Sequence, residues 1–192
     1  MPAVPLVVES TTTVVIGSGF SGLAVAAELS RRGVRAVVVD GMCAVAPGTG
    51  PVDRAGGLDG RADILRLLRH YAQSHNLDVR RGTRAVDLSR APASDAPARP
   101  WVVRTPQGIL RSNSIVLTRC TLNEVRRLPA RLGVSLGTDL PAALRAAGLY
   151  LVGAGELAAP TTREILRQAK MVGQYIGAQG FRQAQSPAVP AA

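Results

Sequence analysis

The stretch 11–40, TTTVVIGSGFSGLAVAAELSRRGVRAVVVD, constrains this chain more than any other. A β-branched, apolar run (Thr11–Ile16) meets Gly17-x-Gly19-x-x-Gly22, a helical stretch follows, and a second apolar run, Ala36–Val39, ends on Asp40. Each part has a mechanical reason. Gly17 permits a tight strand-to-helix turn, Gly19 lets the backbone approach a pyrophosphate, and Gly22 lets helix and strand pack closely. Phosphate would rest on the free N–H groups and positive dipole end of the helix, with Ser18, Phe20 and Ser21 in the same cradle. Asp40, about 20 residues on, is placed to accept hydrogen bonds from ribose hydroxyls. Glycine turns alone are common. A strand before, a helix after, a second strand and a terminal acid make this one a dinucleotide-binding fingerprint rather than a structural βαβ turn.

The rest of the chain is read against that unit. At 192 residues it is long enough to bury a proper core, and 46% hydrophobic content is globular in kind. The net charge of +10 raises the question of nucleic acid. Yet Lys170 is the only lysine, the arginines are scattered without a run, and one Trp, three Tyr and two Phe offer little to stack on bases. Nucleic-acid binding is therefore not expected, although the excess charge would attract an anionic ligand. Cys43 and Cys120 fit no metal-ligand or C-x-x-C spacing and suit a reducing cytoplasm; no metal site is expected. No apolar run approaches membrane-spanning length, and residues 1–10 lack the pattern of a signal peptide.

Residues 1–10 are expected as a flexible arm, 11–182 as one domain and 183–192 as a disordered tail. A first helix over roughly Ser21–Arg32 ends at Gly33 as C-cap. Residues Ala44–Gly60, with five glycines and two prolines, read as a loop. Arg61–Asn76 carries Ile64, Leu65, Leu68, Tyr71 and Ala72 at helical spacing; His70 and His75, with no acid or cysteine nearby in sequence, read as surface residues. Leu77–Leu88 reads as a strand bent at Gly82. After an excursion at 91–100, Trp101–Thr105, Gly108–Arg111 and Ser114–Thr118 are short strands, the first two joined by a Thr-Pro-Gln-Gly turn. A helix near Asp139–Pro141 and a buried strand over Leu149–Val152 follow. The last helix starts at a capping box, Thr161-x-x-Glu164, presents Ile165, Ala169, Val172 and Ile176, and is expected to end at Gly177 and Gly180.

That order resembles the FAD-binding domain of two-dinucleotide-binding flavoproteins, especially the flavin-containing monooxygenase and Baeyer–Villiger group. The resemblance implies an α/β fold: a single FAD-binding, Rossmann-like domain of the glutathione-reductase type, with a parallel sheet plus an antiparallel β-meander. VVIGSGFSGLAVAAEL resembles the N-terminal fingerprint, and Asp40-Gly41 stands where an acid binds the adenosine ribose. PGTG (47–50) echoes a glycine-rich segment lining the flavin. The resemblance places backbone at Ala85–Val86 against adenine. GLYLVGAGELAAPTTREILRQAKMVGQYI resembles the closing motif, in which Gly155 and Glu156 face the ribityl chain and N–H groups near Thr161–Thr162 face the flavin N1–C2=O edge.

The departures matter equally. Family members insert an NADPH domain between meander and closing strand; here only about 30 residues, 119–148, lie there. A second G-x-G-x-x-G and the F-x-G-x-x-x-H fingerprint are absent, and Leu117-Thr118-Arg119-Cys120 replaces an alanine-threonine-glycine signature. The resemblance implies a small FAD-dependent oxidase or oxygenase without its own NADPH site. It would act on a small, aromatic, indole-type metabolite, with electrons from the substrate or a separate flavin reductase. Arg54 and Arg119 are candidates to hold a substrate carboxylate. No Ser–His–Asp set, Cys–His pair or paired carboxylates name a catalytic acid or base. A missing domain would uncover the flavin, so a homodimer is expected. Two other readings stay open: a non-catalytic FAD-binding partner protein, and an NAD(H)-binding Rossmann protein.

Overall fold

A strand with no polar residue on either face must be covered on both, and this requirement builds the molecule in layers. The computed structural model describes residues 7–42, 58–91, 100–118, 140–153 and 160–185. Its first elements are β1 (Val7–Ser10), β2 (Thr13–Ile16), α1 (Phe20–Ser30), β3 (Ala36–Asp40), α2 (Leu58–Ser74) and β4 (Asp78–Arg84). Then come β5 (Asp87–Arg90), β6 (Trp101–Thr105), β7 (Gly108–Ser112), β8 (Ser114–Thr118), α3 (Leu140–Ala146), β9 (Leu149–Val152) and α4 (Thr162–Gln185).

Five parallel strands form one sheet in the order β4-β3-β2-β8-β9, with β2 hydrogen-bonded to β3 and β8 on its two sides. Every residue of β2 and β8 is buried. Alternate side chains serve opposite layers, as a two-residue period dictates. Val14, Ile16, Val37, Val39, Ile115 and Leu117 pack toward Trp101, Val103 and Leu110 of the second sheet. Val15, Val38, Val116, Tyr150 and Val152 pack toward α1 and α4. Helix α1 is buried nearly all round, which explains why its sequence carries almost no polar face.

The second sheet runs β1-β7-β6-β5, with β5, β6 and β7 antiparallel and β1 parallel to β7. The Thr105–Gly108 turn is closed by the Thr105 hydroxyl, which donates to the Gly108 carbonyl (3.0 Å) and accepts the Gly108 N–H (3.2 Å). Arg80 on β4 joins the sheets by donating to Glu9 on β1 (2.8 Å). Its hydrogen bonds to Asp78, and then to Glu9, hold its pKa above the ordinary arginine value.

Four expectations change. Residues 7–10, read as part of a flexible arm, are a strand, because the outer edge of β7 offers unpaired backbone groups. The single strand expected over Leu77–Leu88 is two strands in different sheets; the bulge at Val39/Asp40 in the β3–β4 register absorbs the bend, and the chain changes sheet at Ala85–Val86. Ser114–Thr118 leaves the meander to join the parallel sheet. Helix α4 runs through Gly177 and Gly180 to Gln185. At Gly173 and Gly177 the missing side chains admit Glu28 of α1 and Arg32 just beyond it: an added Cβ would stand 3.1 Å from Glu28 Cβ and 3.2 Å from Arg32 Cδ. The rest of the expected tail, 186–192, lies outside the described residues.

Helix α1 ends at Ser30 with Arg31 as its C-cap, and Gly33 closes the turn just beyond: its φ of 67° lets Val34 N–H reach the Leu29 carbonyl (3.0 Å) and Gly33 N–H reach that of Ser30 (2.9 Å). At Gly180 an added Cβ meets nothing. Gly180→Ala should raise stability by about 1 kcal/mol through helix propensity. Gly33→Ala should lower it by about 1 kcal/mol by forcing a side chain into the left-handed region. Urea unfolding of the two variants checks the opposite signs.

Candidate functional site

The site is built where β2 turns into α1. Gly17 has φ 121°, and a Cβ there would fall 2.0 Å from Thr118 Oγ1. A Cβ on Gly22 would fall 1.7 Å from the Gly17 carbonyl oxygen. The two glycines therefore let the first turn of α1 press against the end of β2, with β8 alongside. Thr118 locks the arrangement by donating its hydroxyl to the Ile16 carbonyl (3.0 Å). Gly17 N–H donates to the Val39 carbonyl (2.7 Å), tying the turn to β3 as well.

Gly19 differs from both: an added Cβ meets nothing within 4 Å, so this glycine faces open space. It is the N-cap of α1, with no side-chain cap, and the first intrahelical bond is Leu23 N–H to the Gly19 carbonyl (3.0 Å). The first-turn N–H groups of a helix lack intrahelical acceptors. No acidic side chain lies in that turn. Phe20, Ser21 and Gly22 are buried, and the Arg61 guanidinium lies 5.0 Å from the centre of the Phe20 ring.

Asp40, at the end of β3, accepts the Ser18 hydroxyl on Oδ1 and the Gly82 N–H on Oδ2 (2.7 Å). A carboxylate has about four acceptor positions, so two are left for ribose hydroxyls. Arg84 donates to the Gly41 carbonyl (3.3 Å) beside it. The open N-terminal turn, the uncrowded Gly19 and the half-used Asp40 fit the pyrophosphate and ribose of a dinucleotide. At Ala85 and Val86 both N–H groups are already given to Asp40 and Arg104 carbonyls (3.2 and 2.8 Å), while the Val86 side chain is 64% exposed. Neither N–H is free for adenine.

At the other end, Thr161 Oγ1 accepts the Glu164 N–H (3.2 Å), one half of the expected capping box. The return half is not made, because the Glu164 carboxylate accepts from Arg167 (2.6 Å) and Gln168 (3.1 Å) instead. The hydrogen bond from Arg167, then that from Gln168, holds the Glu164 carboxyl below its ordinary pKa. Gln168 in turn accepts the Gly153 N–H (2.9 Å), fixing the start of α4 to the end of β9. Thr162 is the first residue of that helix. Gly155, Glu156, Arg54, Arg119, Cys43, Cys120 and the 47–50 segment lie outside the described residues. His70 and His75 are exposed on or just beyond α2, His75 stacked on Tyr71 with ring centres 4.0 Å apart. Among the described residues no three His, Cys, Asp or Glu side chains gather into a metal-binding group, and no helix is long and apolar enough to cross a membrane.

Residues 15–44 match the family model of an NAD(P)-binding Rossmann-like domain. The fold is Rossmann-like. No curated protein matches the chain. Among solved structures, THI4 of Thermovibrio ammonificans superposes with a TM-score of 0.60 at 15% identity, covering 90% of each chain. A ferredoxin-flavin thioredoxin reductase from Clostridium acetobutylicum gives 0.59 at 10% identity, over 92% of this chain and all (100%) of that one. A flavin-containing monooxygenase from Stenotrophomonas maltophilia is 24% identical over 57% of this chain and 38% of its own, and at a TM-score of 0.39 that likeness carries no weight. The chain spans only 34–38% of the length of such larger matches.

Sequence reading missed Thr118 as the lock of the glycine turn, and Gly82 and Ser18 as holders of Asp40. A threonine directly after the apolar run Ile115–Leu117 was the available signal. The geometry separates two glycines by role. Gly22→Ala should destabilise the fold by several kcal/mol, since its Cβ meets backbone. Gly19→Ala should leave the melting temperature of the ligand-free protein nearly unchanged while weakening dinucleotide binding at least about tenfold, or roughly 1.4 kcal/mol. Thermal melts with and without added dinucleotide distinguish the two.

Proposed function

We infer that the chain is a small FAD-dependent oxidoreductase. One observation carries the choice of FAD over a nicotinamide dinucleotide. A second helix, α4, is braced at the end of β9 by the Gly153–Gln168–Glu164 hydrogen bonds, two strands from β2 and at the same end of the parallel sheet as the glycine turn. Two helix N-termini at one sheet end suit a ligand with a charged centre and a distant ring that takes up negative charge. The ferredoxin-flavin thioredoxin reductase, similar along its whole length, bears a flavin enzyme's name, which supports the same reading.

In this reading Gly17–Gly22 hold the pyrophosphate, Asp40 orients the ribose through its two remaining acceptor positions, and the start of α4 at Thr161–Thr162 faces the ring edge that becomes anionic on reduction. Glu156 and Gly155 contact the ribityl chain. The flavin supplies the electron transfer, and the protein supplies orientation and electrostatics. The substrate is a small aromatic metabolite, of indole type by resemblance, with Arg54 or Arg119 on its carboxylate. The reaction is an oxidation or oxygenation. Electrons come from that substrate or a separate reductase, and a second copy of the chain covers the flavin in a cytoplasmic homodimer.

A second reading, an NAD(P)-binding protein, is favoured by the description of the family model that matches 15–44. The visible spectrum of the purified chain decides between them. The FAD reading expects a yellow protein whose colour bleaches anaerobically on adding substrate and returns with oxygen. A colourless protein that instead enhances NADH fluorescence supports the second reading, and a stable yellow colour that no metabolite bleaches supports a non-catalytic FAD carrier.

A further inference from the structure

A large cavity lies away from the glycine turn. It is an open trough of about 1100 Å³ on the helical layer, walled by α2 and α4 with the C-terminal half of α1 along its length. Ala24 and Ala27 of α1, Ile64 and Leu68 of α2, and Leu166 of α4 make its surface apolar. Leu67 stands at its side, 64% exposed. Around this surface lie Arg31, Arg32, Arg167 and Lys170, with His70 and His75 at the α2 wall. Glu28 answers Arg31 and Arg32 (3.1 and 3.8 Å), and Glu164 answers Arg167 (2.6 Å). Two cations therefore exceed the acids that face them, and Lys170, the only lysine of the chain, has no partner among the described residues.

We propose that this trough is a docking site for an acidic, amphipathic α-helix of a partner protein. The shape argues for a helix. Two helices resting on a third leave a straight groove, and a further helix fills such a groove at the usual 8–10 Å axial spacing. A cylinder of helix diameter and this volume is about 14 Å long, roughly nine residues of helix. An apolar stripe on that helix meets Ile64, Leu67, Leu68 and Leu166, while flanking carboxylates meet Lys170 and Arg167 on α4 and the arginines at the end of α1. The charge argues against a second copy: two such faces would set cations against cations, in a chain whose net charge is +10.

The test uses the full chain and a fluorescein-labelled synthetic peptide of about four helical turns, with leucines at i, i+3, i+4 and i+7 and glutamates flanking them. Fluorescence anisotropy should report saturable binding that weakens as salt is raised. Lys170→Glu and Leu67→Ser, both at exposed positions, should each weaken it roughly tenfold. Their circular dichroism and bound-cofactor content should stay as in the parent chain, so failure here is separable from failure of the dinucleotide reading. Equal binding of a scrambled peptide of the same composition, or undiminished binding by both variants, overturns the proposal. So does sedimentation of the chain with phosphatidylserine vesicles in a Lys170-dependent manner while the peptide fails to bind.

Discussion

Everything at the ligand end of this molecule depends on how closely α1 approaches the end of β2. The would-be Cβ of Gly22 lies 1.7 Å from the Gly17 carbonyl, and that of Gly17 lies 2.0 Å from the Thr118 hydroxyl. No side chain larger than hydrogen fits at either place. The contact sets where the helix axis points, and so where its unsatisfied N–H groups present their positive charge. Each charge placed on such a terminus gains about 0.3–1 kcal/mol, or up to ~2 when partly buried. Affinity for a dinucleotide must therefore be distributed along the ligand, over pyrophosphate, ribose and ring, rather than concentrated in one contact.

The layered core makes that close approach rigid. Strands β2 and β8 are buried on both faces, so the turn between β2 and α1 cannot shift without disturbing the second sheet and the helices together. Packed interiors transmit such displacements rather than absorb them. Small residues repeat the device elsewhere: Gly173 and Gly177 bring α4 against Glu28 of α1 and Arg32 just beyond it. The trough between α2 and α4 is the counterpart of that packing, the space left where two helices meet a third but do not close over it.

Much of this was legible in the chain. The glycine turn after β2, the four-residue face Ile165, Ala169, Val172 and Ile176, and the left-handed turn at Gly33 just past α1 all follow local rules. What was not legible depends on distant neighbours. Thr118 bonds Ile16 across the sheet, and its partner lies 102 residues away, with only the apolar run before it as a sign. Ser114–Thr118 belongs to the parallel sheet, where it is buried throughout while β6 and β7 alternate, and that burial depends on layers far away in sequence. Gly177 looked like a stop because a glycine that ends a helix and one that admits a neighbour are identical in sequence, while Gly180 faces open space and is carried within the helix. Asp40 ends β3 as the apolar run before it indicates, but its engagement by Ser18 and Gly82 needed the bulge that brings β4 beside it.

The central claim is that one end of this sheet grips a flavin dinucleotide at two helix termini. Isothermal titration of ligand-free protein with FAD, NADH and ADP tests it most directly. The account predicts one FAD per chain, bound far more tightly than NADH, with ADP competing weakly because it reaches only the Gly17–Gly22 end. NADH and ADP binding alike while FAD binds no better would contradict it, because α4 would then contribute nothing to the ligand.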